Sequence, residues 1–581
     1  MTQPVTLYGV LEQQAQTCPD ATAYVFLESG GEQRRRSFTQ LLARVQAIAG
    51  VLQRTLARGE RALLMYQPGL EFIEAMLACF ASGVVAVPVP PLQNRRMLPR
   101  LSAVAKDSGS NVLLTARATE QAARSLVSTQ PLSLPALRWI QTDVIAMEHA
   151  VDFRKPSLSC DEFAFLQYTS GSTGDPKGVM VSHGNLLHNE AAIQTAFGHD
   201  KSTVFVGWLP LYHDMGLVGN VFQPLYVGIP SVLFAPMTFL TSPVTWLKAI
   251  SEWRATTSGG PSFAYELCVQ RVNEADMRGV DLSSWKIAFN GAEPVKAHVI
   301  DAFIRKFGRF GFRPEAFYPC YGMAETTLFL TGGRPTAPVV RLAVDAEQLG
   351  ANRAVPRASS PTVLIGCGHP RGDHHVQVVS PETGEPLPDG QVGEIWTAGP
   401  SVAQGYWGKP ELTQAVFQAR TSNGRGPYLR TGDLGFLRQG ELYITGRLKD
   451  LVIVRGQNHY PSDIESTVYQ SHEALRENGA AAFTIENDGD ARLTVVAEIR
   501  RAVIAKLDEA LRRTITSTVR KVVSDVHGLR LHDLVLIKPA TLPTTSSGKI
   551  RRNYCRELYL KGELDRVETR ENEEAAGAVA A

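Results

Sequence analysis

Ten consecutive residues, Thr169-Ser170-Gly171-Ser172-Thr173-Gly174-Asp175-Pro176-Lys177-Gly178, combine three glycines, four hydroxyl side chains and one lysine. Glycines let a turn bring backbone N–H groups close to an anion. Hydroxyls add donors to phosphate oxygens, and the lysine adds a mobile point charge. The apolar run FAFLQY before the loop reads as a strand, so the loop opens at a strand end, where open α/β sheets bind ligands. The spacing is not that of a P-loop, G-x4-G-K-[ST]. A Gly/Ser surface loop is the alternative; a lysine flanked by Pro and Gly after an apolar strand argues against it.

Five further stretches carry chemistry. In VGWLPLYHDMGLVGNVF an apolar wall, Trp208 to Tyr212, is interrupted by His213-Asp214 and followed by Met215-Gly216-Leu217-Val218-Gly219. An imidazole among small and apolar residues suits the mouth of an acyl pocket; a core histidine with satisfied ring nitrogens is the alternative. WKIAFNGAEP reads as a strand ending in Asn-Gly and entering a helix AEPVKAHVIDAFIRKFG, a turn that presents backbone groups to a flat ligand such as adenine. In FYPCYGMAETT, Tyr321 can stack on a base and Gly322 permits close approach. Glu325 offers a carboxylate for Mg²⁺ beside triphosphate oxygens, or else a helix-start carboxylate near the N-terminal dipole. Asp433, expected in a tight Thr-Gly-Asp turn, can accept two ribose hydroxyls, the alternative being an Asx-turn. Last, TLPTTSSGKIRR places Lys549 on a Ser/Gly loop able to swing into a site and leave it.

The elements that must position these groups follow from patterning. Ser37 is placed to N-cap a helix whose Leu41, Leu42, Val45, Ile48 and Leu52 share one face. Helix-like stretches alternate with the strand-like runs AYVFLE, ERALLMYQ, VVAVPVP and NVLLT, which predicts βα units on largely parallel sheets. Residues 333–365, rich in proline and small residues, are expected to be a loop with a short helix inserted between better-patterned segments. Beyond them, strands and turns suggest a small β-rich subdomain. The polar strip around Arg447 and Lys449-Asp450 is the expected domain boundary, with 451–565 a small α/β domain and 566–581 a disordered tail.

At 581 residues the chain has room for about four units of roughly 150 residues. A net charge of +2 implies no strong field for nucleic acid or a membrane. The seven cysteines form no CxxC pair, which argues against a zinc ribbon or disulfide framework and suits a reducing compartment. With no signal peptide pattern and no apolar run of spanning length, a cytoplasmic protein is expected.

Taken in order, TSGSTGDPKG, NGAEP, YGMAET, the TGD/GRLKD pair and PTTSSGK resemble the motifs of the adenylate-forming superfamily of acyl-CoA synthetases, luciferases and peptide-synthetase adenylation domains. The resemblance runs from about residue 7 to 565. WLPLYHDMGL, VRGQNHYPSDIE and the 333–365 insertion look like those of its fatty acyl-AMP ligases. The resemblance implies a large N-terminal domain over 1–447, with two doubly wound βα subdomains and a β-rich one, a hinge at 448–450 pivoting on Lys449, and a small mobile α/β C-terminal domain. It implies that a carboxylate and ATP give acyl-adenylate and pyrophosphate. Thr169, Ser170 and Lys177 would hold the β/γ-phosphates, with Gly171 and Thr173 in the same cofactor-binding set and Mg²⁺ near Glu325. Gly291, Ala292 and Tyr321 would frame adenine, Glu293, Gly322, Met323 and Ala324 would belong to the same cofactor-binding set, and Asp433 and Arg447 would hold the ribose. Lys549 would bridge the fatty carboxylate and the α-phosphate, with His213 at the acyl pocket. The acceptor implied is the phosphopantetheine arm of an acyl carrier protein in trans; an acyl-CoA synthetase is the rival. The insertion implies an impediment to CoA. The basic residues Lys549, Arg551, Arg552, Arg556 and Lys561 either face an acidic carrier or form a solvated helix face.

Lys549→Ala should lower acyl-adenylate formation by about 10²–10³-fold, the usual loss when a charge-stabilising donor is removed. Its ATP affinity, measured by calorimetry, should stay near that of the parent protein; affinity falling in step with rate would overturn this division of roles.

Overall fold

The computed structural model describes residues 4–127, 137–169, 176–454, 457–487, 490–545 and 549–567. Two mainly parallel sheets carry most of it. The first has six strands in the order Arg138–Gln141, Val112–Thr115, Arg61–Met65, Val85–Val89, Phe163–Thr169 and Lys177–Ser182, all parallel except the last. The second has nine, with Phe317–Gly322, Ile287–Asn290, Thr257–Gly260, Phe205–Gly207, Ser231–Phe234 and Thr22–Leu27 parallel at its centre and short antiparallel strands at both edges.

Alternation along the strands explains the layering. Leu63 and Met65 pack with Leu113, Leu166 and Leu101 of the helix Leu98–Ser108, while Ala62 and Leu64 join the main core on the other face. Strands buried on both faces need apolar residues in both phases, as parallel sheets do. Between the sheets lie the helices Phe38–Thr55, Leu70–Ser82 and His183–Phe197. The N-cap read from the sequence holds, with Ser37 capping its helix in a capping box; Gly83 ends the next helix in the left-handed conformation. Beyond the nine-stranded sheet, Trp246, Tyr265, Trp285 and Phe303 form an aromatic cluster in edge-to-face and stacked contacts.

Two expectations are corrected. The helix after NGAEP begins only at Ala297, because Ala292 takes φ +67° and Pro294 follows it, so residues 291–296 run as a loop. The 333–365 segment is more regular than a loop with a helix. The helix is there, Ala346–Gly350, but the strands Arg341–Ala343 and Val363–Ile365 also pair antiparallel. Such short strands exist through long-range pairing, which local composition does not display. Val344, Leu349 and Ala354 of this segment are buried against Leu434, Phe436, Tyr443 and Tyr460.

A four-stranded antiparallel sheet, His375–Val379, Gly393–Ala398, Leu429–Arg438 and Glu441–Arg447, leads into a turn, Leu448–Asp450. The remaining chain builds a three-stranded sheet, Leu475–Asn487, Asp490–Ile499 and Leu531–Ile537, with its own cores on its two faces. Arg552 reaches from the start of the helix Arg552–Lys561 to Asp450 in the turn at 3.0 Å and to Glu465 at 2.7 Å. This corrects one expectation for the basic C-terminal set: Arg552 faces inward, because the buried Glu465 and the half-buried Asp450 both claim it. Arg556 likewise has a buried Nε.

Arg552→Ala should leave Glu465 and Asp450 without their cation and cost about 3–5 kcal/mol, the range for breaking one side of a buried pair. Hydrogen exchange of the full chain should show the loss in peptides of 449–567, with the two large sheets unchanged.

Candidate active site

Thr169 and Lys177, which flank the glycine-rich stretch, stand directly opposite each other in an antiparallel strand pair at the edge of the six-stranded sheet. Ser170, Gly171 and Thr173 lie outside the described residues. Gln167 donates to the Tyr212 carbonyl at 3.1 Å, which ties this strand to the WLPLYHD segment. There the His213 Nδ1 lies 2.5 Å from Asp214 Oδ1, and the Met215 N–H donates to the same oxygen at the start of a π-helix, Met215–Phe222. Gly216 is required here, since a Cβ would lie 2.1 Å from the Pro210 carbonyl oxygen. Burial pushes Asp214 up, but His213 beside it, the Met215 N–H and the Lys549 charge outweigh this and hold it below the usual range.

Across the nine-stranded sheet, Gly291 lies against the backbone of Cys320, with room for no Cβ: the carbonyl oxygen would be 2.8 Å away. Glu293 accepts the Phe263 N–H at 2.8 Å, and burial raises its pKa against the pull of Lys296 and Lys549. Tyr321 donates through its hydroxyl to Asp433 Oδ2 at 2.8 Å, and Arg447 donates to Asp433 Oδ1 at 2.8 Å. Both oxygens of this buried carboxylate are thus held. Asp433 is not in a turn, as expected, but within the strand Leu429–Arg438, directly opposite Arg447; Gly432 at φ +71° bends the strand there. The Asp433 charge holds Arg447 well above its ordinary pKa.

The segment after Tyr321 is the most constrained. A Cβ on Gly322 would lie 1.7 Å from the Leu328 carbonyl oxygen. Met323 and Ala324 lead into one 3₁₀ turn, Ala324–Thr326. Thr327 follows at φ +66°, ψ −58°, the centre of a γ-turn in which the Leu328 N–H donates to the Thr326 carbonyl at 2.8 Å. A β-branched residue there is strained, and the surroundings hold it. Asn189, fully buried on the central helix, donates to the Phe329 carbonyl at 2.8 Å and accepts the Phe329 N–H at 3.1 Å. The Thr327 hydroxyl donates to the Ser401 carbonyl at 2.8 Å. This clamp places Glu325, which is buried and whose pKa burial raises against a hydrogen bond from Tyr406 at 2.8 Å.

Lys549 comes to this group of residues from the C-terminal sheet's side of the molecule. Its loop is closed by a bridge between Thr544 and Ile550, and Thr545 and Lys549 exchange hydrogen bonds. Burial and Arg447 pull its pKa down, while Asp214, Asp433 and Glu293 pull it up. The described residues of the expected nucleotide set lie in this one chain of contacts or beside it; Lys449, expected as the hinge, is exposed in the turn Leu448–Asp450. Sequence reasoning missed Tyr406, Asn189 and Asp214 as site residues; Gly-Tyr-Trp-Gly at 405–408 was the one available signal. Among the described residues no three His, Cys, Asp or Glu side chains cluster as a metal site. A single carboxylate, Glu325, nonetheless suits Mg²⁺, which takes one or two carboxylates plus substrate phosphates and water.

Residues 11–407 match the family of AMP-binding enzymes, and 449–569 match the AMP domain of Disco-interacting protein 2-like proteins. The medium-chain-fatty-acid–[acyl-carrier-protein] ligase JamA of Moorena producens is 42% identical, with 97% of both chains covered. This chain is a fatty acyl-AMP ligase of the AMP-binding family. The long-chain-fatty-acid–AMP ligase FadD26 of Mycobacterium marinum is 36% identical over 97% of this ligase and 99% of that protein. The fatty acyl-adenylate ligase from Legionella pneumophila, solved in complex with acyl adenylate and pyrophosphate, is 39% identical with a TM-score of 0.76, covering 97% and 98% of the two chains. The ligase uses ATP. Among its described residues no helix is long and apolar enough to cross a membrane.

Gly322→Ala should abolish adenylation and ATP binding together, because the clash is with a backbone oxygen of the same turn. Asn189→Ala should cost about 1–3 kcal/mol for each buried Phe329 backbone group left unpaired. Denaturant unfolding and pyrophosphate release would read both variants.

Proposed function

We propose that the ligase joins a fatty acid to AMP and then passes the acyl group to the phosphopantetheine thiol of an acyl carrier protein rather than to CoA. The convergence of Lys549 with Asp433, Arg447, Asp214 and Glu293 carries the first half of this reading. In the first step a carboxylate oxygen attacks the α-phosphorus, the bond to the β-phosphate oxygen breaks, and pyrophosphate leaves. Both reactants are anions, so the site must cancel their repulsion and hold them in line. Thr169, Ser170, Gly171, Thr173 and Lys177 take the β/γ-phosphates. Gly291, Ala292, Glu293, Tyr321, Gly322, Met323 and Ala324 frame adenine. Asp433, its carboxylate already oriented by Tyr321 and Arg447, receives the ribose hydroxyls. Lys549 lies where charge builds between carboxylate and α-phosphate, and His213 stands at the acyl pocket. Mg²⁺, held at Glu325, would neutralise the triphosphate. In this reading the ligase is cytoplasmic, which its seven free cysteines suit.

In the second step the thiol sulfur attacks the acyl carbonyl carbon, the bond to the AMP oxygen breaks, and the thiol proton leaves. Lys549 must first withdraw by rotation about Lys449. The choice of a carrier over CoA is supported by the 333–365 segment. Asn352 accepts a hydrogen bond from Asn458 at 2.9 Å, and Leu349 packs in one cluster with Tyr460, Leu448 and Leu451, so this insertion lies across the pivot. It is also supported by the carrier-protein ligase names of JamA and TtuA of Teredinibacter turnerae, the latter 38% identical.

The purified protein with ATP, Mg²⁺ and a set of fatty acids should accumulate acyl-AMP, unchanged by CoA, and should acylate a phosphopantetheinylated carrier protein; mass spectrometry resolves all three. Rapid acyl-CoA formation would make it an acyl-CoA synthetase instead.

A further inference from the structure

Lys177 and Glu325 belong to different sheets, yet one side chain touches both. The segment 403–407 is laid along the edge strand Lys177–Ser182: the Met180 N–H donates to the Gly405 carbonyl and the Gln404 N–H to the Met180 carbonyl, each at 2.9 Å, and the Trp407 N–H donates to the Gly178 carbonyl at 2.8 Å. At its start the Ala403 N–H donates to the Glu325 carbonyl at 2.9 Å. Tyr406 sits between these anchors, buried, with its ring edge-on to Phe417 and its N–H donating to the Thr413 hydroxyl at 2.9 Å. Gly405 is required beside it, at φ +122° with no space for a Cβ against Thr413.

From that fixed position Tyr406 makes two contacts. Its hydroxyl donates to Glu325 Oε1 at 2.8 Å, and among the described residues it is the one side-chain donor to that carboxylate. Its ring face receives the Lys177 ammonium, 5.5 Å from the centroid. A carboxylate with one oxygen bonded cannot spin freely, and a cation over a ring face is attracted by the ring quadrupole.

We propose that Tyr406 is a positioning residue for adenylation: its hydroxyl sets the rotation of the Glu325 carboxylate and its ring sets the Lys177 ammonium, so that metal and phosphate ligands from two sheets meet one triphosphate. This rests on Glu325 as the metal ligand. The two contacts predict separable effects. Tyr406→Phe keeps the ring and removes the hydroxyl; Tyr406→Leu removes both.

The test is made on the full chain with Mn²⁺ in place of Mg²⁺, so that binding of Mn·ATP is read by electron paramagnetic resonance without turnover. Tyr406→Phe should weaken Mn²⁺ binding in the ATP complex and lower kcat, each by about ten-fold, the size of one lost hydrogen bond to a charged group. The KM for fatty acid should not change. Tyr406→Leu should add a rise in KM for ATP that Tyr406→Phe lacks. Glu325→Gln, run alongside, separates the two claims. If Glu325→Gln leaves Mn²⁺ binding at the parental level, Glu325 is not the metal ligand. If it weakens binding but Tyr406→Phe does not, Tyr406 does not position it. A Tyr406→Phe protein that fails to fold would likewise overturn the assignment, since a hydroxyl that only aims a carboxylate is not needed for folding.

Discussion

Burying charge costs far more than burying apolar surface unless each charge is paired and hydrogen-bonded, and this site is built under that constraint. Four carboxylates enclose it: Asp214, Glu293, Glu325 and Asp433. Each has a named donor: Met215 N–H beside His213, Phe263 N–H, the Tyr406 hydroxyl, and Tyr321 with Arg447. The cations Lys549 and Arg447 repel each other and are kept together by these acids. Such fixed charges and dipoles need no reorganisation when two anionic reactants arrive, which is where electrostatic catalysis gains most.

The donors come from every part of the chain, so the fold must bring distant segments to one place with little tolerance. Close backbone approach does much of this. Gly291 lies on Cys320, Gly322 on Leu328 and Gly216 on Pro210, each with no room for a side chain. The turn after Glu325 is held from two sides, by Asn189 on the central helix and by the Ser401 carbonyl. The strain at Thr327 persists because these bonds over-determine it.

The C-terminal portion meets the rest across a polar seam. Lys296, at the end of the loop after NGAEP, donates to Asn478 Oδ1 at 3.0 Å, and Asn478 donates to Glu266 at 2.7 Å. On the other side of the turn Leu448–Asp450, the 333–365 segment buries Leu349 with Tyr460. Polar contacts of this sort exchange water for protein partners at little net gain, so they can be broken and remade, whereas the apolar packing of the insertion has to be undone.

Read alone, the sequence determined what is local or combinatorial. Strand and helix periodicity indicated βα units on largely parallel sheets, Ser37 marked a helix start, and five ordered motifs pointed to the family, because residue types at fixed spacing carry those signals directly. Most of the charged residues of the site were legible from their motifs, Asp214 excepted. Tertiary structure alone decided who meets whom. Glu325 and Tyr406 are 81 residues apart, Tyr321 and Asp433 are 112 apart, and Asn189 and Phe329 are 140 apart. No local pattern encodes such pairs. It also decided that Asp433 lies in a strand, that Arg552 turns inward, that the helix after NGAEP starts late and that the insertion forms paired strands. Each of these is settled by a partner far along the chain, or by a single backbone torsion, rather than by the composition around it.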